Sequence, residues 1–140
     1  MKLCLAVLLY VTLLGASAAI AHPAAKPIAT VVRHGGLCIT GMECRAVFRI
    51  TDTTISADGY RPRRLLRTER TALLRAIRAL DLRSVRAHPF MGTCPTAYDG
   101  TESIYRFRGV TPPLASCKYD LDRVRAVTLT DRLLATLRPR

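Results

Sequence analysis

From Cys44 to Thr51 the chain alternates without a break: Cys44, Ala46, Phe48 and Ile50 share one side, and Arg45, Val47, Arg49 and Thr51 share the other. A period of two is that of a half-buried strand. Ser103 to Arg108 repeats the pattern, with Ser103, Tyr105 and Phe107 set against Ile104, Arg106 and Arg108. Ile28 to Arg33 is rich in β-branched residues and reads as a strand that His34-Gly35-Gly36 breaks. Thr53 to Ala57 reads as the hairpin return of the Cys44–Thr51 strand, and Asp58-Gly59 is the next turn. A later strand is expected to turn Ala115, Cys117 and Tyr119 one way and Ser116 and Lys118 the other.

Two stretches switch to a helical period. Ala72, Leu73, Leu74, Ala76, Ile77 and Leu80 form an apolar stripe, with Arg67, Arg70, Arg75 and Arg78 around it. Thr68 is placed to cap this helix and Glu69 to meet its positive end, which predicts a helix over Glu69–Leu80. Leu82 to Arg86 reads as irregular, ended by His88-Pro89. A second helix is predicted over Asp131–Leu137, with Thr130 as its cap and Leu133, Leu134 and Leu137 inward. Gly92 to Thr101 and Gly109 to Pro113 are turn-rich. Strands, helix, strands, helix, with no internal repeat, predict an α+β domain: an antiparallel sheet with helices packed on one face.

The amino terminus reads as a targeting segment for export. Met1-Lys2 followed by the apolar run Leu3–Leu14 and small residues up to Ala21 has the form of a signal peptide. Cleavage after Ala21 shortens 140 residues to 119 and, with Lys2 gone, lowers the net charge from +12 to +11. The apolar run is shorter than the roughly 20 residues a membrane span needs, so no span is expected after cleavage. The domains expected are a signal peptide over 1–21, a flexible segment over 22–27 and one domain over 28–140. Without Cys4 four cysteines remain: Cys38, Cys44, Cys94 and Cys117. An even number in a small exported domain reads as two disulfides. Of three possible connectivities, Cys38–Cys44 and Cys94–Cys117 are favoured, contributing roughly 2 and 3 kcal/mol by loop closure. The spacings lack a C-x-x-C pair and do not suggest zinc.

Composition narrows the class. Basic residues number 22 against 10 acidic, and 19 of the 22 are Arg. The length excludes a multidomain enzyme, and 49% apolar residues describe a folded chain. If the alternation holds, Arg45, Arg49, Arg106, Arg108 and Lys118 project from one sheet face as a candidate anion-binding set. The aromatic residues Phe48, Tyr105, Phe107 and Tyr119 fall on the other face, which argues against single-stranded nucleic acid, whose bases need aromatic platforms beside the charge. No P-loop, nucleophile elbow or dinucleotide fingerprint occurs, and no metal or cofactor is implied.

The run Gly92-Thr93-Cys94-Pro95-Thr96-Ala97-Tyr98-Asp99-Gly100-Thr101-Glu102, with Tyr105-Arg106-Phe107 and Ser116-Cys117 after it, resembles a group of small exported proteins of high-GC, actinomycete-like bacteria. Gly35-Gly36-Leu37-Cys38, Cys44 and Asp58-Gly59-Tyr60 fit the same group. The resemblance implies export and two local disulfides and brings no catalytic residue with it. A weaker similarity, in size and disulfide number, is to bacterial secreted subtilisin inhibitors, whose cysteine context and order differ.

The function expected is therefore non-catalytic: a secreted or extracytoplasmic, monomeric binding module for an acidic protein or an anionic envelope polymer. One alternative is a small ribonuclease-like hydrolase using His88 and Glu102 as its acid–base pair. Another is a protease inhibitor presenting Thr111-Pro112-Pro113 or the Cys94–Glu102 loop. Tyr98 is expected to pack beneath that loop, and Phe90 and Met91 to close one end of the core.

Overall fold

The computed structural model describes residues 26–36 and 44–140; the expected signal peptide, most of the segment after it, and Cys38 lie outside them. Among these residues eight strands and three helices follow in order: β1 (Ala29–Gly35), β2 (Arg45–Ile50), β3 (Thr54–Ala57), β4 (Tyr60–Arg61), β5 (Arg63–Arg64), α1 (Arg67–Arg78), α2 (Leu82–Ala87), β6 (Thr101–Phe107), β7 (Leu114–Ala115), α3 (Arg125–Leu134) and β8 (Arg138–Pro139). A 3-10 turn at Pro95–Tyr98 precedes β6. The antiparallel main sheet has the order β5-β3-β2-β1-β6-β7, and β4 pairs separately with β8.

Register decides which face each residue takes. Val31 lies opposite Phe48 on one side and Tyr105 on the other, and Ala29 opposite Ile50 and Phe107. This inner face is buried in one continuous core with Leu73 and Ile77 of α1, Val85 of α2 and Val127 and Leu134 of α3. Each such side chain contributes roughly 1.5–3 kcal/mol by leaving water. The expected antiparallel sheet with helices against one face is thus what the residues build.

The helix boundaries differ from those the pattern predicts. α1 starts at Arg67, two residues before the expected Glu69, because the Glu69 carboxylate accepts the Leu66 N–H at 2.9 Å and so caps the turn in place of Thr68. The stretch read as irregular is α2: Asp81 accepts from the N–H groups of Arg83 and Ser84 and starts a new helix there. α3 begins at Arg125, not Asp131. Thr130, expected as its cap, is fully buried inside it, and its hydroxyl donates to the Ala126 carbonyl one turn back at 2.7 Å. That bond lets a polar residue continue the stripe of Ala126, Val127, Leu133 and Leu134.

The strand expected around Ala115–Tyr119 is also shorter. It pairs only at Leu114–Ala115, after which the Lys118 and Tyr119 N–H groups both donate to the Ala115 carbonyl and curl the chain into a turn. Tyr119 is buried there and forms an isolated bridge with Pro89. The Cys94–Cys117 disulfide forms as expected, with Cα atoms 5.0 Å apart. The expected partner of Cys44 is Cys38, outside the described residues.

Candidate functional site

Alternation along β1, β2 and β6 turns three rows of side chains away from the helices. Arg49, Thr30 and Arg106 form one row, Val47, Val32 and Ile104 the next, and Arg45, His34 and Glu102 the third. Arg49 and Arg106 stand two strand spacings apart, roughly 10 Å, and Arg45 lies roughly 13 Å along β2 from Arg49. All three arginines are exposed, and among the described residues none makes an ion pair or side-chain hydrogen bond. The inward aromatics Phe48, Tyr105 and Phe107 leave no ring on these rows.

Arg108 and Lys118 do not join them. Arg108 lies just past β6, and its guanidinium donates to Asp52 Oδ2 at 2.9 Å and to the carbonyls of Lys26 and Pro27. Asp52, in the turn between β2 and β3, also accepts two bonds from Arg70 of α1. The Arg108 and Arg70 hydrogen bonds hold the Asp52 carboxyl below its usual range. Arg108 is therefore a clamp between the sheet and α1. Lys118 falls in the turn after β7, with its ammonium 5.4 Å from the centre of the Tyr119 ring.

The expected His88–Glu102 pair is not assembled. His88 ends α2 with Nδ1 2.8 Å from the Ser84 carbonyl. Glu102 meets His34 instead, Oε2 to Nε2 at 2.9 Å, with side chains 17% and 41% exposed respectively. A Glu102 oxygen also lies within 4.8 Å of the Cys94 and Cys117 sulfurs, which are bonded to each other and present no thiolate to a metal. The loop carrying Cys94 closes over the end of β1. A Cβ on Gly35, which has φ +89°, would come 2.6 Å from the Gly100 carbonyl, so only glycine admits that approach.

Two expected anchors turn outward. Tyr98 does not pack beneath its loop but is 77% exposed, because the Pro95–Tyr98 turn curls back on itself and Asp99 takes a left-handed conformation. This curl is also unlike an extended inhibitory loop. Met91 does not close the core and is 89% exposed.

The other side of β6 was not legible as a site. Thr101, Ser103 and Tyr105 face a cleft of about 850 Å³ bounded by α3, the segment from Pro89 to Pro95 and the segment from Tyr119 to Asp122. At its floor Asp131 of α3 accepts the Tyr105 hydroxyl at 2.8 and 3.0 Å and an Arg33 guanidinium N–H at 3.0 Å. Arg33 in turn lies over the Phe48 ring. Burial first, and the neighbouring Asp131 charge second, push the Tyr105 phenol up to about 12. The sequence pattern puts Asp131 at a helix start, whereas in the structure it lies inside α3, facing Tyr105. No family model, curated protein or solved structure matches this chain.

Proposed function

We propose that this chain is an exported, disulfide-braced, non-catalytic module that binds an anionic polymer of the cell envelope through Arg45, Arg49 and Arg106. The observation that carries this reading is that Arg45, Arg49 and Arg106 share one exposed face of the sheet with no ring beside them. Arg33, Arg63, Arg70 and Arg108 are each tied to a carboxylate. The three on the outer sheet face are exposed and have no such partner among the described residues. Planar guanidinium groups spaced roughly 10 Å apart or more suit a chain of repeating carboxylates, sulfates or phosphates better than one compact anion. The absence of rings on the face speaks for charge without base stacking, and so for a polymer other than single-stranded nucleic acid. The signal-peptide pattern, the disulfide and the resemblance to exported high-GC bacterial proteins favour an extracytoplasmic place of action. Among the described residues no helix is long and apolar enough to cross a membrane.

The test is retention on immobilised heparin as a model polyanion, over a salt series. Replacing Arg45, Arg49 and Arg106 with Gln lowers the salt at elution and reduces the log-affinity against log-salt slope by about 2–3. A control replacing exposed Arg75, Arg78 and Arg83 removes the same charge and is expected to shift elution much less. Equal shifts in both would show that only net charge matters and would remove the sheet-face reading. Retention of the wild type by an acidic protein column alone would replace the polymer with a protein partner.

A further inference from the structure

We propose that the cleft behind β6 is a docking groove for a basic peptide segment of a partner protein. In this groove an arginine or lysine meets Asp120 and Asp122, and an apolar neighbour lies on Phe90, Met91 and Tyr119. Its charge runs against that of the molecule. The chain carries +12, yet three of its 10 acidic residues, Asp120, Asp122 and Asp131, line this cleft, against one basic residue, Arg132. Asp131 is already engaged by Tyr105 and Arg33 and forms the fixed floor. Asp120 accepts the Asp122 backbone N–H at 3.2 Å, and the Asp122 carboxylate has no partner among the described residues. Both Asp120 and Asp122 are exposed at the rim. They would be neutralised by a cation from outside.

The walls select what carries that cation. Pro89, Phe90, Met91, Tyr119, Leu121 and Val127 supply apolar surface. Met91 at the rim is one of only three large apolar side chains left exposed among the described residues. A volume of about 850 Å³ exceeds what a single amine fills. Ser103, Ser116 and Thr128 also line the groove, with the Ser116 hydroxyl accepting the Ser103 N–H and the Thr128 hydroxyl donating to the Val124 carbonyl. The groove and the arginine face lie on opposite sides of β6, so the two sites are separable.

The test uses the intact oxidised protein and a fluorescent, capped six-residue peptide of alternating Leu and Arg, with a Leu–Glu peptide as control. Fluorescence anisotropy is expected to show binding of the Arg peptide only. Asp120→Asn with Asp122→Asn weakens that binding roughly 3- to 10-fold, Met91→Ser weakens it further, and the Arg45, Arg49 and Arg106 to Gln variant leaves it unchanged. The proposal is overturned if the two peptides bind alike or if the Asp variants bind as wild type does. Spermidine competing as strongly as the peptide would overturn it in favour of a small-amine site. A wild-type dimer in sedimentation that the Asp variants dissociate would replace the partner with a second copy.

Discussion

Replacing Tyr105 with Phe removes one oxygen from a well-filled place. Tyr105 is 5% exposed, and its hydroxyl donates to both oxygens of Asp131. A hydrogen bond to a charged acceptor is worth about 1.5–3 kcal/mol. Asp131 is partly exposed and keeps Arg33, so the loss at pH 7 is expected at the lower end, about 1–2 kcal/mol. The pH dependence is the sharper test. The folded-state pKa of Tyr105 is raised, to about 12 from 10.0. Its contribution is therefore complete below pH 10 and is lost as pH rises through the folded value. By linkage the wild type loses about 1.4 kcal/mol relative to Tyr105→Phe by pH 11. All other tyrosines, lysines and carboxylates cancel in that difference. Urea unfolding followed by circular dichroism at pH 7, 9 and 11 measures it. The wild-type advantage should hold from pH 7 to 9 and shrink or vanish at pH 11. Parallel behaviour of the two proteins across that range would refute the reading that a buried phenol is held neutral against Asp131.

Two further outcomes are expected. Asp52→Asn and Glu69→Gln each cost at most about 1 kcal/mol at neutral pH, since both pairs are partly exposed. Their carboxyls are held low by the Arg108 and Arg70 bonds and by the Arg63 bond respectively, so this stability is present above the unfolded values near 4 and lost as pH falls through the lower folded ones. Acid unfolding curves of both variants should accordingly be shallower than that of the wild type. Breaking Cys94–Cys117 by Ser replacement at both positions should cost about 3 kcal/mol, given a sequence separation of 23; the urea midpoint measures it, and an unchanged midpoint would mean that the loop is held by packing alone.

What the sequence made legible was what depends on local period. Strand parity placed Phe48, Tyr105 and Phe107 inside and Arg45, Arg49 and Arg106 outside, and the register agrees at each of these positions. The apolar stripe of α1 was equally readable. Three misreadings, at Thr130, Arg108 and Glu102, share one cause, a polar side chain whose partner has no trace in the linear chain. Thr130 looked like a cap because its own-turn carbonyl bond at Ala126 has no sequence signature. Arg108 continues the alternation of β6, but Asp52, 56 positions away, binds it. Glu102 meets His34 and not His88, because that pairing follows from strand register alone. The α2 helix is a different case: its cap, Asp81, is local and has the residue type of an N-cap, but the helix it starts is only six residues long. The cleft depends on three segments meeting and had no linear trace.

One strand separates the two surfaces of opposite charge. Thr101, Ser103 and Tyr105 look into the cleft, while Glu102, Ile104 and Arg106 look outward beside the arginine face. Because this alternation has a period of two, deleting or inserting a single residue near the start of β6 would invert every side chain along it. Arg106 would be driven against Val31 and the core, and Tyr105 would be turned to solvent. Substitutions can alter either surface separately, but a one-residue change in length alters both together and breaks the core between them. The Gly35–Gly100 approach stands directly before β6, and the Cys94–Cys117 bond ties the loop ahead of β6 to the turn after β7. Length polymorphism should therefore be tolerated in the turn at Gly109–Pro113 and excluded between Gly100 and Phe107.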